Sequence, residues 1–310
     1  MMALNKDKLF AGTVLLNEPL ARYTTWRVGG PADRLYKPLD LDDLILFIRQ
    51  LPVDEPLFWL GLGSNLLVRD GGIRGTVIST QGLLNEMSLL PSGQVRAEAG
   101  VTCAKVARFC SANLLQGAEF LAGIPGTMGG AVAMNAGAFG SETWDKVAAV
   151  ETMDRQGDLH VRKPAEFKVG YRSVEGMEDE WFVAVHLKLA PVSHGKQDEI
   201  KQNIKALLAE RNEKQPIGQA SCGSVFRNPE GDHAARLIEA TGLKGVCQGG
   251  ACVSEKHANF IINTGAATAR DIEMLVSKVA EEVNKAQGIK LHREVRIVGE
   301  HTLSGVNDSR

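Results

Sequence analysis

Residues 61–72 read GLGSNLLVRDGG, and residues 123–140 read GIPGTMGGAVAMNAGAFG. In the first stretch the apolar run PLFWL (56–60) reads as a strand that enters a Gly-Leu-Gly-Ser-Asn turn. Small residues and bare N–H groups in such a turn suit a diphosphate. The third glycine of G-x-G-x-x-G is missing and no helix signal follows, which excludes a Rossmann fingerprint. In the second stretch four glycines fall within eight residues, and small side chains continue to Gly140. A core strand carries bulkier residues and an ordinary helix fewer glycines, so the segment reads as backbone laid against a flat or phosphorylated ligand. Its spacing does not match G-x-x-x-x-G-K-[ST], so it is not a P-loop. Taken alone, each stretch also reads as a tight turn or a packing loop.

The remaining glycines support a large ligand lying along main chain. The chain has 33 of them, clustered at 29–30, 61/63, 71–72, 123–140, 223 and 249–250. Around these loops the elements alternate. Residues 41–50 read as a helix, TVIST (76–80) and QVRAEAG (94–100) as strands, and 102–115 as a helix capped by Thr102. VAAVETMD (147–154) and WFVAVHLKLA (181–190) read as strands. Composition turns polar near residue 192, where Ile200, Ile204, Leu207 and Leu208 mark one face of a helix ending before Pro216. Beyond it come a helix in HAARLIEATG (233–242), a strand in NFIIN (259–263), a helix capped by Thr268 and stopped by Gly288, and a last strand in EVRIVG (294–299). The division is 1–80, 81–191 and 192–310, in mixed α and β structure without internal repeats.

Composition excludes several classes. Lys and Arg total 35 against 37 for Asp and Glu, a net charge of −2, which argues against nucleic acid as a partner. The stretch MMALNKDKLFAGTVLLNEPL has no signal-peptide pattern, and no run of 18 apolar residues suggests a membrane span. A cytoplasmic protein is expected. The five cysteines form no CxxC pair; reduced thiols are expected, with neither a disulfide framework nor a metal site.

Three further segments carry chemistry-bearing side chains. In GYRSV (170–174), Tyr171 and Arg172 suit a carboxylate or phosphate. In CGSVFRNP (222–229), Ser224 follows a glycine in a turn that is not G-x-S-x-G, so it is no hydrolase elbow. In HREVRIVG (292–299), Glu294 opens the last strand. Each alone reads as readily as a surface arginine, a turn serine and a strand-end carboxylate.

Taken in order, TTWRVGGPAD (24–33), GLGSNLLV (61–68), GIPGTMGGAVAMNAGA (123–138), GYRS (170–173), GSVFRNP (223–229), GGACVSEKHANFIIN (249–263) and EVRIVG (294–299) resemble the UDP-N-acetylenolpyruvoylglucosamine reductase family. The resemblance spans about residues 20 to 300. It implies an α+β chain: a two-lobed FAD-binding unit of the vanillyl-alcohol-oxidase (PCMH) type over 1–80 and 81–191, and a C-terminal α/β substrate-binding domain over 192–310. It implies non-covalent FAD, NADPH as reductant and UDP-N-acetylglucosamine enolpyruvate as substrate. Flavin N5 would give hydride to the vinyl carbon and an acid would protonate its neighbour.

By the same resemblance Ser224 matches the proton donor, Arg172 the group that stabilises the enolate and binds the substrate carboxylate, and Glu294 the carboxylate assisting that step. Tyr171, Lys214 and Asn228 match substrate-binding positions. Flavin contacts would come from Gly61, Gly63, Ser64, Asn65, Leu66, Gly126, Thr127 and Asn135. The chain departs from the pattern twice. The segment SVEGMEDE (173–180) is short, like the subgroup that lacks an inserted tyrosine lid, and Cys247 stands where members commonly carry arginine or glutamine. A rival reading is a flavin oxidase on the same scaffold. Many such oxidases hold flavin covalently through histidine, and none of the seven histidines lies in the two glycine loops. A non-catalytic nucleotide-sugar binder would keep the glycine loops without needing Ser224, Arg172 and Glu294. The resemblance carries no oligomeric state.

Overall fold

The structure is a computed structural model that describes residues 10–302. The chain divides into two compact units. One takes in the chain to Val14, Tyr36–Gly61 and Ile78–Arg211; the other Leu15–Leu35, Leu62–Val77 and the chain from Asn212. A four-stranded sheet has the order Thr13–Pro19, Pro31–Lys37, Ile73–Ser79, Leu57–Leu60. The first nine residues of the stretch read for a signal peptide lie outside the described residues.

In the first unit, helix α1 (Leu41–Arg49) starts at Asp40, whose carboxylate accepts the Asp43 N–H at 2.8 Å. Its apolar face, Leu44, Phe47 and Ile48, packs with Phe10, Tyr36 and Ile78. A second core lies on an antiparallel sheet ordered Leu159–Arg162, Val147–Asp154, Glu180–Leu187, Val95–Glu98, Met87–Leu89. The register Val150↔Val185↔Ala97 puts these three on one face by the two-residue period of strands. Helices α2 (Cys103–Ala112) and α3 (Met128–Ala133) share that core. Thr102 caps α2 as expected, taking the Lys105 N–H. Helix α4 (Gln197–Lys214) adds Ile204 and Leu208 at its rim.

Helix α3 was not expected in so glycine-rich a segment. Packing explains it: a Cβ on Gly129 would lie 2.9 Å from the Ala99 Cβ and 3.2 Å from the Ala99 carbonyl oxygen. The helix sits too close to the sheet for larger residues. That approach, with Thr127 accepting the Gly130 N–H, offsets glycine's poor propensity.

In the second unit, strand Leu66–Val68 pairs in parallel with Arg296–Val298, and Cys247–Gln248, Ala251–Val253 and Ile261–Asn263 form a three-stranded antiparallel sheet. Helices α5 (Ala234–Ala240) and α6 (Ala269–Gln287) cover a core that includes Trp26, Leu67, Phe226, Ile272 and Val276. Trp26 is fully buried, and its indole N–H donates to the Ile261 carbonyl at 2.7 Å. Thr268 caps α6 and Gly288 ends it at φ +70°, both as the sequence predicts.

The expectation of five reduced cysteines is corrected here: Cys247 and Cys252 are joined by a disulfide, while Cys103, Cys110 and Cys222 are free and buried. The reading looked for CxxC spacing, whereas a hairpin turning at Gly249–Gly250 sets Cys247 directly opposite Cys252 with Cα atoms 4.1 Å apart. Among the described residues no helix is long and apolar enough to cross a membrane.

Candidate active site

The second unit gathers five of the seven family-like segments, with 61–68 entering it from Leu62. Strand Leu66–Val68 follows the 61–65 turn, and its parallel partner places Asn65 beside Glu294. The Arg296 N–H donates to the Asn65 carbonyl at 3.0 Å, and the Asn65 side-chain amide to the Glu294 carbonyl at 3.2 Å. Glu294 in turn donates its N–H to the Val225 carbonyl at 2.8 Å, and Arg227 donates to the His292 carbonyl at 2.8 Å. The residue after Ser224 is thereby stitched to Glu294, and both side chains are half-buried. Beside Ser224, Gly223 lies at φ +72° with no heavy atom within 4 Å of where its Cβ would stand, so that flank of Ser224 is open.

The turn before Leu66 is held tightly. Gly63, at φ +60°, accepts the Thr25 N–H at 3.2 Å, and a Cβ there would come 2.2 Å from the Tyr23 carbonyl oxygen. The buried Cys222 thiol lies 3.3 Å from the Leu66 carbonyl and 3.2 Å from the Thr25 hydroxyl. Burial pushes this thiol up to about 11, so it stays protonated and available as a donor. Asn228 uses its side-chain oxygen to accept the Ala234 N–H at the start of α5 (3.1 Å). Lys214 is exposed at the last position of α4.

The first unit gathers the rest. Gly126 accepts the Cys103 N–H at 3.0 Å, and a Cβ on Gly61 would fall 2.6 Å from the Thr127 hydroxyl. Asn135 is almost fully buried at φ +42°; its amide donates to Glu142 (2.7 Å) and the Gly170 carbonyl (3.1 Å), and its oxygen accepts the Trp144 N–H (3.1 Å). Arg172 occupies the turn of the hairpin Lys168–Gly170/Ser173–Glu175, itself at φ +55°. Its guanidinium donates to the carbonyls of Asn135 (3.3 Å) and Gly137 (3.2 Å), approaches Glu142 at 3.8 Å, and lies 4.9 Å from the Tyr171 ring centre. A bulky residue in the left-handed region is uncommon and persists where its surroundings hold it. Arg172 meets that description, while Asn135 is of a type that tolerates the region.

Each unit thus brings one group of the expected residues together: Gly63, Ser64, Asn65, Leu66, Ser224, Asn228 and Glu294 in one; Gly61, Gly126, Thr127, Asn135, Tyr171 and Arg172 in the other. The residues fit a flavin dinucleotide chemically. Both segments are rich in glycine and other small residues, set among larger ones such as Leu62, Met128 and Phe139, and space is open beside Ser224. The sequence reading missed Asn259 and Cys222, which hold the Ser224 segment and the 63–66 turn. Both are buried, and only three-dimensional neighbours reveal their partners.

Comparison with known proteins agrees with the resemblance. Residues 215–298 match the model for the UDP-N-acetylenolpyruvoylglucosamine reductase C-terminal domain, and residues 32–162 match an FAD binding domain. The chain is 62% identical over 283 residues to the UDP-N-acetylenolpyruvoylglucosamine reductase of Alkalilimnicola ehrlichii, covering 91% of this chain and 94% of the relative. It is 60% identical over 290 residues to that of Legionella pneumophila, covering 93% of each. Among solved structures it is similar to UDP-N-acetylenolpyruvylglucosamine reductase from Thermus caldophilus, with TM-score 0.79, 34% identity, and 93% and 99% of the two chains covered. A likeness in fold alone, at TM-score 0.54 and 11% identity over 93% and 90% of the two chains, extends to 6-hydroxy-D-nicotine oxidase from Arthrobacter nicotinovorans.

Proposed function

Because the chain belongs to the UDP-N-acetylenolpyruvoylglucosamine reductase family, an FAD-dependent oxidoreductase acting on an enolpyruvyl substrate, we propose a specific division of labour among its residues. In this reading the enzyme works in the cytoplasm, takes reducing equivalents from NADPH, and converts UDP-N-acetylglucosamine enolpyruvate to UDP-N-acetylmuramate for peptidoglycan synthesis. The flavin is held non-covalently by residues of 1–80 and 81–191, and the sugar nucleotide by 192–310.

When bound, FAD would supply two-electron (hydride) transfer between NADPH and the enolpyruvyl group. The chain's own residues do the rest. Gly61, Gly63, Ser64, Asn65, Leu66, Gly126, Thr127 and Asn135 present main chain and small polar groups to the flavin. Arg172 faces the substrate carboxylate. As negative charge develops there, a preoriented guanidinium favours it by a few kcal/mol, on the order of one oxyanion-hole donor. Its hydrogen bonds to Asn135 and Gly137 hold it in place beforehand. Ser224 Oγ gives its proton to the carbon next to the one that receives hydride. A serine is a weak acid, and serves because the carbanion is strongly basic and the transfer short. Glu294 assists the same step. Tyr171, Lys214 and Asn228 bind the remainder of the substrate.

The observation that supports this reading best is the 2.8 Å bond from the Glu294 N–H to the Val225 carbonyl, which makes Ser224 and Glu294 neighbours although they stand 70 positions apart in the numbering. The test separates the half-reactions. Ser224→Ala should still be bleached by anaerobic NADPH, while its recolouring by the enolpyruvyl substrate falls by at least about 100-fold. Normal recolouring in that variant overturns the assignment.

A further inference from the structure

We infer that Asn259 is the positioning residue that holds Ser224 in register with Glu294. The inference rests on the proton-donor reading of Ser224 above and adds a residue to it. Phe226 pairs with Arg293 across an antiparallel bridge, and the flanking bonds, Glu294 N–H to Val225 and Arg227 N–H to His292, use the backbone groups of residues 225 and 227. By the alternation of a strand, the N–H and C=O of Phe226 point to the opposite edge.

Among the described residues no strand lies there; Asn259 stands in for one. Its side-chain oxygen accepts the Phe226 N–H at 2.9 Å, and its side-chain amide donates to the Phe226 carbonyl at 2.8 Å. Its own main-chain carbonyl accepts the Val225 N–H at 2.9 Å. Asn259 is 3% exposed and Phe226 1%, so water cannot replace these bonds, and loss of the amide would orphan two buried main-chain groups. The two residues after Ser224 are therefore gripped from both edges. A slip of that segment would move the Ser224 hydroxyl away from the carbon it protonates, and small misplacements of a reacting group carry large rate penalties.

Asn259→Asp gives a test with its own internal switch. A neutral carboxylic acid offers one O–H and one acceptor, the same pair as the amide; the carboxylate offers only acceptors and repels the Phe226 carbonyl. An aspartate at this position, buried and facing the Phe226 carbonyl, should titrate above its ordinary value. In the FAD-loaded variant, reoxidation by UDP-N-acetylglucosamine enolpyruvate should be slowed about tenfold or more near pH 8.5. Relative to wild type it should recover several-fold near pH 5.5, while flavin reduction by NADPH stays within about twofold at both pH values. Asn259→Ala should show the loss without the recovery.

A wild-type reoxidation rate in Asn259→Asp at the higher pH, or equal losses in both half-reactions, overturns the inference. The unaltered protein supplies a reading that needs no turnover and no variant: the Phe226 amide should exchange hydrogen among the slowest in the chain, and rapid exchange overturns the clamp. Ser224→Ala with normal reoxidation would overturn the donor reading instead. The Phe226 exchange rate distinguishes that outcome from a failure of Asn259 to hold the segment.

Discussion

At φ +60°, Gly63 sits in a region that costs any other L-residue about 1–2 kcal/mol. An added Cβ would also meet the Tyr23 carbonyl oxygen at 2.2 Å and the Thr24 Cα at 2.8 Å. Both obstacles are main chain and cannot rotate aside. Gly63→Ala should therefore destabilise by about 2–4 kcal/mol, seen as a lowered melting temperature, and should loosen FAD retention by distorting the turn before Leu66. Gly93 is the control. Its φ is +80° but nothing lies within 4 Å of its missing Cβ, so Gly93→Ala should cost only about 1 kcal/mol and leave flavin content unchanged. Asp43 is the other residue whose surroundings fix its chemistry. Burial pushes its carboxyl up, but the Tyr36 hydroxyl and the N–H groups of Leu39, Ala11 and Gly12 together outweigh burial and hold it below its ordinary value. A carboxyl with a depressed folded value stabilises above its unfolded pKa, and that contribution disappears as pH falls through the folded value. Asp43→Asn should cost about 2–4 kcal/mol near neutral pH. The gap to wild type should close as denaturant midpoints are followed down below about pH 4. A gap independent of pH would show that the charge at Asp43 is not what holds these donors.

Helix α6 shows which elements a sequence spells out. Its buried positions Ile272, Leu275, Val276, Val279 and Val283 recur at helical spacing, Thr268 and Asp271 form a capping box, and Gly288 ends it. All of those signals are local. The same helix also has a cap that the sequence does not reveal: the Asp70 carboxylate accepts the N–H groups of Ala269 (3.0 Å) and Arg270 (2.9 Å) from about 200 positions away. Next to it, Arg69 forks onto Glu273 and holds that carboxyl below its ordinary value. Asp70→Ala should cost about 1–2 kcal/mol, the scale of a lost N-cap, measurable by denaturant unfolding. An unchanged midpoint would mean the capping box within the helix suffices. The elements that stayed illegible share a cause. Helix α3 exists because Gly129 lets it approach Ala99, and Ser224 meets Glu294 because Asn259 substitutes for a strand. In both cases the deciding partner is remote in sequence, so neither propensity nor periodicity carries it. Ser224, Arg172 and Glu294 were legible only because whole motifs in order resemble a family; as single residues each reads as an ordinary turn, surface or strand-end group.

Over the whole molecule, the cysteines divide by burial and so by reactivity. Cys103 and Cys110 sit in the core of the first unit, and burial pushes each thiol up to about 12; Cys222 sits in the second unit at about 11. Thiolate is the reactive form, so all three are inert while the protein is folded. Cys247 is exposed and Cys252 half-buried, on a hairpin whose Ala251 and Val253 belong to the second unit's core. Their bond spans a separation of five residues, and closing so short a loop contributes at most about 2 kcal/mol. The three apolar clusters, anchored by residues such as Trp26, Phe47 and Val150, contain neither of these two cysteines. Reduction should therefore leave the fold standing. Iodoacetamide applied to the oxidised native protein should label no cysteine. After mild reduction it should label Cys247 and Cys252 alone, and in denaturant all five, as read by mass spectrometry of the peptides. Labelling of Cys222 in the reduced but folded protein would mean that the contacts between Thr25, Leu66 and the Ser224 segment open in solution, and that the 63–66 turn is held less firmly than its geometry requires.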